Sequence, residues 1–582
     1  MTSKSRRSFL ATAAGASAMG MMNWAENIPL FRIPVASAAS TLPTPSGFSR
    51  FPTSIRLYQQ AYQNWSEQLT VERVWTCTPA NAREVVALTN WAYQNGYRLR
   101  PKGMSHNWSP ILLPDGADVS KIILVDTSRL TSVRVDARGQ LKSVTAGAGT
   151  LMARVLEELE ARGLGFAAVP APGDITVGGL LAIGAHGTAI PARGETQGAG
   201  HTYGSLSNLI LSVTAVVWDP ARNEYVLRTF QRNEPDIRAF LVHLGRAFVT
   251  EVTLQVGTNA RIRCQSWYDI PARVVFAPPE SAGPHSLSAL AEKAGRVEAI
   301  WFPFTSVPWI KVWSLAPEKP WLSRHVRKPY NYVFANAISQ EQSECIEQIN
   351  AGAAFLTPLL ANLFTAAAGA GLIATGTWDL WGWSKDVLLY AKATTLRVAA
   401  LGFGIITSRA NIQRVVSEVY AEYSRAITAY QLKGRFPMSA PLEIRITGLD
   451  HTRDVQIPDA QSPLLSAVRP RPDHPEWDTC VWINMLTIPK MPHANEFYAE
   501  MERWIWTNFS GSYAAVRPEW SKGWAHTDAG AWTNQAVLSG TIPDAFRAGQ
   551  ARGDDWDTAL AILDGYDPHR IFANPFLDAL LP

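Results

Sequence analysis

Cysteine is scarce in this chain of 582 residues. Its four cysteines, Cys77, Cys264, Cys345 and Cys480, lie far apart, and none belongs to a CxxC pair. This spacing argues against both a clustered thiolate metal site and a disulfide framework. We therefore expect no metal centre, and we expect most of the cysteines to pack in the core.

An excess of one charge is also missing. The chain has 53 Lys and Arg residues against 49 Asp and Glu residues, a formal net charge of +4, without runs of one sign. Binding of nucleic acid through a basic surface therefore has no support. Hydrophobic residues make up 47% of the chain, which is enough, at this length, for two or three domains with large cores.

The amino terminus has the three parts of a twin-arginine export signal. Arg6 and Arg7 precede Phe9 and Leu10, an Ala- and Gly-rich segment follows, and the small residues "ASAA" at 36–39 allow cleavage after Ala38. We expect residues 1–38 to be this signal, and the protein to be secreted or periplasmic. The route carries folded proteins, which suits a chain that takes up a cofactor before export.

Residues 351–376 form the longest uncharged segment and are numerous enough to span a bilayer. Pro358, Asn362 and four glycines disfavour a spanning helix. Three interpretations stay open: a buried helical pair, the lining of an apolar pocket, or an exposed apolar patch that contacts a membrane surface.

The pattern of the chain changes near residue 258. Residues 60–258 alternate short β-rich runs such as "VERVWTCTP" with amphipathic helices such as "ANAREVVALTNWAYQNGY", and "LILSVTAVVWD" and "EYVLRTF" predict a hairpin. Residues 259–550 are richer in tryptophan and have longer helices. We expect an α+β protein of two domains, with residues 551–582 returning to the first.

Three glycine-bearing stretches lie in the first domain: "RPKGMSHN" at 100–107, "TAGAGT" at 145–150 and "APGDITVGGLLAIGAHGTA" at 171–189. Glycine lets a backbone approach a ligand closely, and amide groups in such turns suit a diphosphate. None of the three is a GxGxxG or GxxxxGKS motif. Taken from the residues alone, each stretch is weak evidence of a nucleotide site.

In their order and spacing, these stretches, followed by "YGSLSNLILSVTAVVWD" and "GRAFVTEVTLQV", resemble the FAD-binding domain of the vanillyl-alcohol oxidase family, also called the PCMH type. The second half, with "VEAIWFPFT", "WGWSKD", "LEIRITG", "RPRPDHPEWD" and "RPEWSKGW", is similar to the class II bacterial cholesterol oxidases, which hold FAD covalently. The tail "YDPHRIFANPF" resembles the segment that returns to the flavin. The resemblance implies a PCMH-type FAD domain and a substrate domain with a large antiparallel sheet.

The resemblance also implies a cofactor site. His106 matches the histidine that bonds to the flavin 8α methyl, whereas from the residues alone a core histidine is equally open. His186 matches a noncovalent flavin neighbour. The FAD-binding residues implied are Pro101, Lys102, Gly103, Met104, Ser105, His106, Asn107, Gly173, Asp174, Val177, Gly178, Gly179, Gly184, His186, Gly187, Val249 and Asn574.

Catalytic candidates come from charges in apolar strands. In "PLEIRITG", Glu443 and Arg445 share one face of an alternating strand, a pattern that also fits a half-exposed surface strand. Glu298 begins the apolar run "VEAIWFPF", where burial would favour a protonated carboxyl suited to proton shuttling. Asn484 lies in "VWINML" and offers a neutral donor, or a core amide. We expect Glu443 or Glu298 to carry a proton, Arg445 to stabilise an alkoxide and Asn484 to bind the substrate oxygen.

The resemblance implies an FAD-dependent oxidase that converts a 3β-hydroxysterol and oxygen to the 3-ketosteroid and hydrogen peroxide, with 5-ene to 4-ene isomerisation. Peripheral contact with a membrane would give access to the sterol. Two alternatives remain at this point. One is an oxidase of the same fold that acts on sugars, aldonolactones or aromatic alcohols, and the other is a noncatalytic sterol or lipid carrier. The sequence does not separate an oxidase from a dehydrogenase.

Overall fold

The computed structural model describes residues 47–332, 338–392 and 395–582. The predicted export signal at 1–38 lies outside these residues. Within the described residues, helices and strands alternate along the chain, and the strands form two small sheets, a two-stranded ribbon and one large sheet.

The first small sheet begins the FAD-binding domain predicted from the sequence. Its strands are β1 (Arg56–Gln63), β2 (Thr70–Thr78), β3 (Arg98–Lys102) and β4 (Ile122–Asp126), in the order β1-β2-β4-β3. Helix α1 (Ala82–Asn95) starts where the Asn81 side chain accepts a hydrogen bond from the Glu84 amide, and ends at Gly96. Gly96 has a φ of 67°, which glycine adopts without steric cost. Strand β3 leads directly into the loop that carries His106.

The second small sheet has the order β5-β6-β10-β8-β9, and β7 pairs with β11 beside it. As predicted, β8 and β9 form a hairpin. The strands are β5 (Val133–Asp136), β6 (Ser143–Gly147), β7 (Leu164–Gly165), β8 (Ile210–Asp219), β9 (Glu224–Gln231), β10 (Phe248–Gln255) and β11 (Gly257–Thr258). The helices are α2 (Met152–Glu160), α3 (Val177–Ala182) and α4 (Ile237–Leu241).

The large sheet has nine strands in the order β15-β16-β12-β14-β13-β18-β19-β17-β20. Its neighbours pair antiparallel except β15 and β16. All nine residues of β17 and of β19 are buried, so the core of this half lies along the sheet. The strands are β12 (Arg261–Trp267), β13 (Arg296–Trp301), β14 (Trp309–Leu315), β15 (Arg324–His325), β16 (Asp379–Trp383), β17 (Ala399–Thr407), β18 (Leu442–Gly448), β19 (Thr479–Thr487) and β20 (Ala514–Pro518).

Helices cover this sheet and close the chain. The longest, α10, is amphipathic, and its buried face includes Val415, Val419 and Tyr423. The helices are α5 (Ala272–Val275), α6 (Leu287–Ala294), α7 (Gln340–Asn350), α8 (Thr357–Thr375), α9 (Ser384–Leu388), α10 (Ile412–Gln431), α11 (Ala494–Asn508), α12 (Ile542–Arg547), α13 (Trp556–Tyr566) and α14 (Pro575–Leu580).

The carboxyl-terminal tail packs on the first domain. Phe572 is fully buried in the core that contains Leu99, and the Leu99 amide donates to the Ile571 carbonyl at 2.8 Å. The Asn574 amide donates to the carbonyl oxygens of Ile111 and Leu112, each at 3.0 Å. These bonds fix the segment that follows the His106 loop.

The uncharged segment 351–376 contains α8, which packs against α7 and is partly exposed. By length and composition alone, residues Ala354–Thr375 could cross a membrane, with a mean hydropathy of 1.6 and a third of the most apolar stretch buried. Exposed residues recur along one side of the helix at Leu359, Asn362, Ala366, Ala370 and Ile373. Of the three interpretations, the structure agrees with a helical pair whose outer side is an exposed apolar patch.

Candidate active site

A cleft of about 990 Å³, partly open to solvent, lies in the first domain between β3, β6, α3 and β10. Small residues and backbone form much of its wall, which leaves room for a large planar ligand. Nine residues predicted to bind FAD line it: Pro101, Gly103, Met104, Ser105, His106, Asn107, Gly178, Gly179 and Val249.

At two positions in the cleft wall, neighbouring atoms leave no room for a Cβ, so glycine is required. A Cβ at Gly103 would lie 2.2 Å from Thr176 Oγ1, and one at Gly178 would lie 2.9 Å from Ala148 Cβ. Ser105, which also lines the cleft, has a φ of 56°, in the left-handed region that non-glycine residues seldom adopt. The loop 103–107 is therefore held in an uncommon conformation against the start of α3.

The Ser105 hydroxyl supplies a test of whether this cleft suits FAD. Its oxygen is buried, and no residue in the described part of the chain hydrogen bonds to it. Buried polar groups are nearly always satisfied, so an unpaired hydroxyl at a strained position beside glycines points to a polar ligand there. The cleft has the donor groups and the width that a dinucleotide needs, and we conclude that its residues fit FAD.

Other residues predicted to touch FAD lie elsewhere. The Lys102 Nζ lies 3.6 Å from Asp126 Oδ2, and the Asn574 side-chain amide donates to the Pro110 carbonyl oxygen. Lys102, Gly173, Asp174, Val177 and Asn574 are not among the residues that line either of the two cavities. Gly184, His186 and Gly187 instead line a second, neighbouring cavity.

The second cavity, of about 970 Å³, adjoins the first, because His106, Ile175, Ile183 and Ala185 line both. Its wall is largely apolar and aromatic, with Trp108, Trp313, Tyr390, Trp482 and Trp520. The titratable groups that line it are His106, His186, Tyr390, Arg445, Glu519 and Lys522. It is an apolar chamber that meets the FAD cleft at His106.

Arg445 is the centre of the charges in this chamber. Its Nε donates to Glu298 at 2.7 Å, one Nη to Glu443 at 2.7 Å, and the other Nη to the Asn484 oxygen at 3.0 Å. Strand pairing brings these groups together, since Glu298 on β13 faces Arg445 on β18, and Asn484 on β19 faces Glu443. The structure therefore places all four predicted catalytic residues in one cluster.

Of these four residues only Arg445 is among those that line the chamber, and Glu443 is hydrogen bonded to it from outside the lining. Glu298 is 1% exposed, and both of its oxygens are engaged, one by Arg445 and the other by the Tyr390 hydroxyl. Asn484 is fully buried and bridges Arg445 and Glu519, donating to the latter at 2.6 Å. The geometry assigns Asn484 a positioning role in place of the predicted contact with substrate.

Sequence reasoning missed the segment 519–522, which adds Glu519 and Lys522. Burial opposes charge on Glu519, but Lys522, His186, Asn484 and Arg445 together lower its pKa. Burial lowers the pKa of Lys522 to about 8, with Glu519 and Glu443 opposing the shift. Lys522 is therefore mostly charged at neutral pH, and its Nζ lies 3.4 Å from the centre of the Trp108 ring. The stretch "RPEWSKGW", in which Glu519 and Lys522 flank Trp520, was the available signal.

His106 is a neutral imidazole in this setting. Burial lowers its pKa to about 4, and the positive charges of Lys522 and Arg397 add to the effect. The ring packs on Trp65 with centroids 4.9 Å apart. A neutral ring nitrogen is the form that acts as a nucleophile. His186 lies across the second cavity, stacked on Trp482 at 3.8 Å, with Nε2 3.8 Å from Glu519.

Comparison with known proteins shows to which family this architecture belongs. The family model for the cholesterol oxidase substrate-binding domain matches residues 261–582, more than half of the chain. The chain belongs to the cholesterol oxidase family. A model for an FAD-binding domain matches residues 75–219, so the predicted fold class and FAD are both confirmed.

Solved structures of the cholesterol oxidase family cover nearly the whole chain. A solvent-stable cholesterol oxidase is 51% identical, with a TM-score of 0.91, over 92% of this chain and 99% of that one. Cholesterol oxidase from Brevibacterium sterolicum is 44% identical, with a TM-score of 0.90, over 94% of this chain and 100% of that one. The family resemblance read from the sequence is thereby confirmed.

Curated relatives outside this group match only a part. A long-chain alcohol oxidase from an uncultured marine euryarchaeote is 25% identical over 193 residues, 33% of this chain and 34% of that protein. An L-gulonolactone oxidase from Scyliorhinus torazame is 26% identical over 208 residues, 35% of this chain and 42% of that protein. The chain therefore spans less than half the length of these relatives.

Proposed function

We propose that this protein is an FAD-dependent oxidase of a 3β-hydroxysterol, forming the 3-ketosteroid and hydrogen peroxide. The observation that carries the proposal is the pair Arg445 and Lys522, accompanied by Glu519, in a chamber lined mainly by apolar and aromatic residues that adjoins the FAD cleft. A sterol is a large apolar body with one hydroxyl. Such a chamber would bury the apolar rings of the sterol, and the two cations would lie near its hydroxyl oxygen.

FAD supplies the hydride acceptor and the subsequent reaction with oxygen. Pro101, Gly103, Ser105, Gly178 and Gly179 would hold it through backbone contacts and the Ser105 hydroxyl. We further propose that His106 bonds to it covalently. Its neutral imidazole at the junction of the two cavities supports this assignment.

Residues in and beside the chamber stabilise charge, accept the proton and position the groups that do so. Arg445 and Lys522 stabilise negative charge as it develops on the substrate oxygen, because buried cations act strongly in a water-poor site. Glu443, which lies outside the lining but is hydrogen bonded to the chamber-lining Arg445, takes the hydroxyl proton. Its side chain is 18% exposed, against 1% for that of Glu298, so a proton has access to Glu443. Glu298 keeps Arg445 in position from the opposite side.

The same carboxylate supports isomerisation of the 5-ene to the 4-ene. That reaction moves a proton between two ring carbons and needs a base that can both accept and return it. Arg445 holds the Glu443 carboxylate beside the chamber, where it could do both.

Anaerobic mixing with candidate substrates tests the proposed function. Cholesterol should bleach the flavin absorbance, and admission of air should restore it with one hydrogen peroxide per cycle. Aldonolactones and benzylic alcohols serve as the comparison set. Bleaching by a lactone but not by a sterol would replace the proposal with the sugar-type oxidase, and no bleaching by any alcohol would indicate a carrier.

We also propose that the protein docks on a lipid bilayer to take up sterol. The docking face consists of the loop residues Trp321 and Leu322, exposed by 91% and 66%, of Phe355 just before α8, and of the outer side of α8 with Leu359 and Ile373. Arg324 joins the two parts, donating to the Thr375 carbonyl at 2.6 Å. Exposed Lys319, Arg324, Arg327 and Lys328 border it, as expected for a surface that meets anionic headgroups.

Replacement of Trp321 and Leu322 by serine should lower binding to cholesterol-containing phosphatidylcholine vesicles by at least about tenfold, since each large apolar side chain contributes about 1.5–3 kcal/mol when buried. Vesicle co-sedimentation measures the change. Leu432→Ser is the matched control, because Leu432 is 84% exposed and lies outside this face. Turnover of detergent-solubilised cholesterol should stay the same in all three proteins, and equal vesicle binding would remove the docking face.

We propose export by the twin-arginine route, on the basis of Arg6, Arg7 and the small residues before Ala38. Replacement of both arginines by lysine should leave the active, flavin-loaded protein in the cytoplasm. Cell fractionation with an activity assay measures this. Unchanged export of the double variant would contradict the assignment.

A further inference from the structure

Lys311 is a buried lysine that has no role in the reaction derived above. It lies on β14, has no exposed surface, and its Nζ has no hydrogen-bond partner in the described part of the chain. Four aromatic rings surround the ammonium group instead. Their centres lie 3.8, 4.1, 4.8 and 5.0 Å from Nζ and belong to Tyr390, Tyr332, Trp309 and Trp313.

Such a box of rings stabilises a cation, because the negative faces of aromatic rings attract positive charge. Burial lowers the pKa of Lys311 to about 8, while Cys264 and Glu298 oppose the shift. The amine therefore remains mainly an ammonium ion at neutral pH. The sequence "WIKVW" builds half of the box, since Trp309, Lys311 and Trp313 alternate and so share one face of β14.

Strand register connects Lys311 to the active site. Lys311 on β14 faces Glu298 on β13, Glu298 faces Arg445 on β18, and directly opposed residues of antiparallel strands share a face. The three charges alternate in sign across neighbouring strands, which lie about 5 Å apart. Tyr390 links these charges to the second cavity. Its ring centre lies 3.8 Å from Lys311 Nζ, its hydroxyl donates to Glu298, and its side chain lines the cavity.

Glu298 is the charged group that acts on Lys311. From the neighbouring elements, Lys311 is faced by Cys264 on β12, Glu298 on β13, and the hydroxyl-bearing rings of Tyr332 and Tyr390. Burial raises the pKa of Cys264, Tyr332 and Tyr390, so these three are neutral at ordinary pH. Glu298 is thus the anion that the ammonium balances.

We propose that Lys311 is a positioning residue that keeps Glu298 ionised and so keeps Arg445 shared between Glu298 and Glu443. The buried cluster balances three cations, Lys311, Arg445 and Lys522, with three carboxylates, Glu298, Glu443 and Glu519. Without the ammonium it would hold one excess negative charge away from water. Proton uptake by Glu298 relieves that excess, after which Arg445 moves toward Glu443.

Infrared difference spectra of the flavin-loaded Lys311→Met variant test this proposal without any substrate. At neutral pH the variant should show a protonated carboxyl band that the wild type lacks. The band should vanish in the double variant Lys311→Met with Glu298→Gln, where charge balance returns. Absence of the band, or its persistence in the double variant, would overturn the assignment to Glu298.

Kinetics supply the second readout. The acid limb of the kcat/KM profile of Lys311→Met should move to higher pH by about one unit or more, the usual effect of losing a nearby opposite charge. Exposed Lys433→Met is the control and should not move it. A drop in kcat with an unchanged pH profile would show that Lys311 acts only through packing. Lys311→Gln repeats both measurements if the methionine variant fails to fold.

Discussion

Glu443→Gln is expected to reduce turnover of a 3β-hydroxysterol by about 10²- to 10⁴-fold, the range that general acid–base catalysis contributes. Glutamine keeps the shape and an acceptor for Arg445, which bonds the carboxylate at 2.7 Å, but it cannot take a proton. Flavin absorbance should persist, because Glu443 is not among the residues that line the FAD cleft. Stopped-flow flavin reduction measures the chemical step directly.

Two further glutamate-to-glutamine variants show whether the loss of turnover is specific to Glu443. Glu72→Gln changes an exposed glutamate on β2 and should leave turnover unchanged. Glu519→Gln removes the carboxylate that lines the chamber, whose pKa is lowered mainly by Lys522 against the effect of burial. Stabilisation of the Glu519 anion by Lys522 opposes proton uptake there, so we expect a smaller loss of rate from Glu519→Gln. A larger loss there than in Glu443→Gln would transfer the proton-accepting role to Glu519.

Isomerisation should respond to the same substitution. If Glu443 moves the ring proton, the Glu443→Gln variant should release more 5-ene-3-one relative to 4-ene-3-one than the wild type does. The conjugated enone absorbs in the ultraviolet, so product ratios can be followed directly. An unchanged ratio would separate the two reactions and assign the ring proton to another group.

Local sequence patterns predicted local structure well. Helix α1 was recognisable from its apolar periodicity and from Gly96, and the β8–β9 hairpin was recognisable from two alternating runs around a polar turn. These signals lie within some twenty residues, so no knowledge of tertiary contacts was needed.

The active-site cluster depends on long-range pairing that no local pattern records. Glu298 and Arg445 are 147 positions apart, and only the β13–β18 register makes them neighbours. The strand register also shows that Lys311 lies opposite Glu298, whereas the sequence around Lys311 shows only its aromatic neighbours. The alternation in "LEIRITG" correctly placed Glu443 and Arg445 on one face, but it left a surface strand open. The hydrogen bonds of Arg445 to Glu298 and Asn484 on neighbouring strands decided the question.

His106→Ala is the second substitution with a large expected effect. Wild-type protein precipitated with acid and run on a denaturing gel should fluoresce under ultraviolet light, because a covalent flavin migrates with the chain. The variant band should be dark, although the native variant should still bind FAD through the 101–105 and 178–179 backbone. Loss of an electron-withdrawing 8α bond should also lower the flavin potential and slow its reduction by substrate.

His186→Ala is the matched control, since His186 lines only the second cavity and stacks on Trp482. Its band should fluoresce as strongly as that of the wild type. A dark wild-type band would mean that FAD is bound without a covalent bond, and fluorescence lost only in His186→Ala would move the bond to that residue. His106 is favoured because it lines both cavities and is kept neutral by burial and by Lys522 and Arg397, so a nitrogen lone pair is available at the junction of the two cavities.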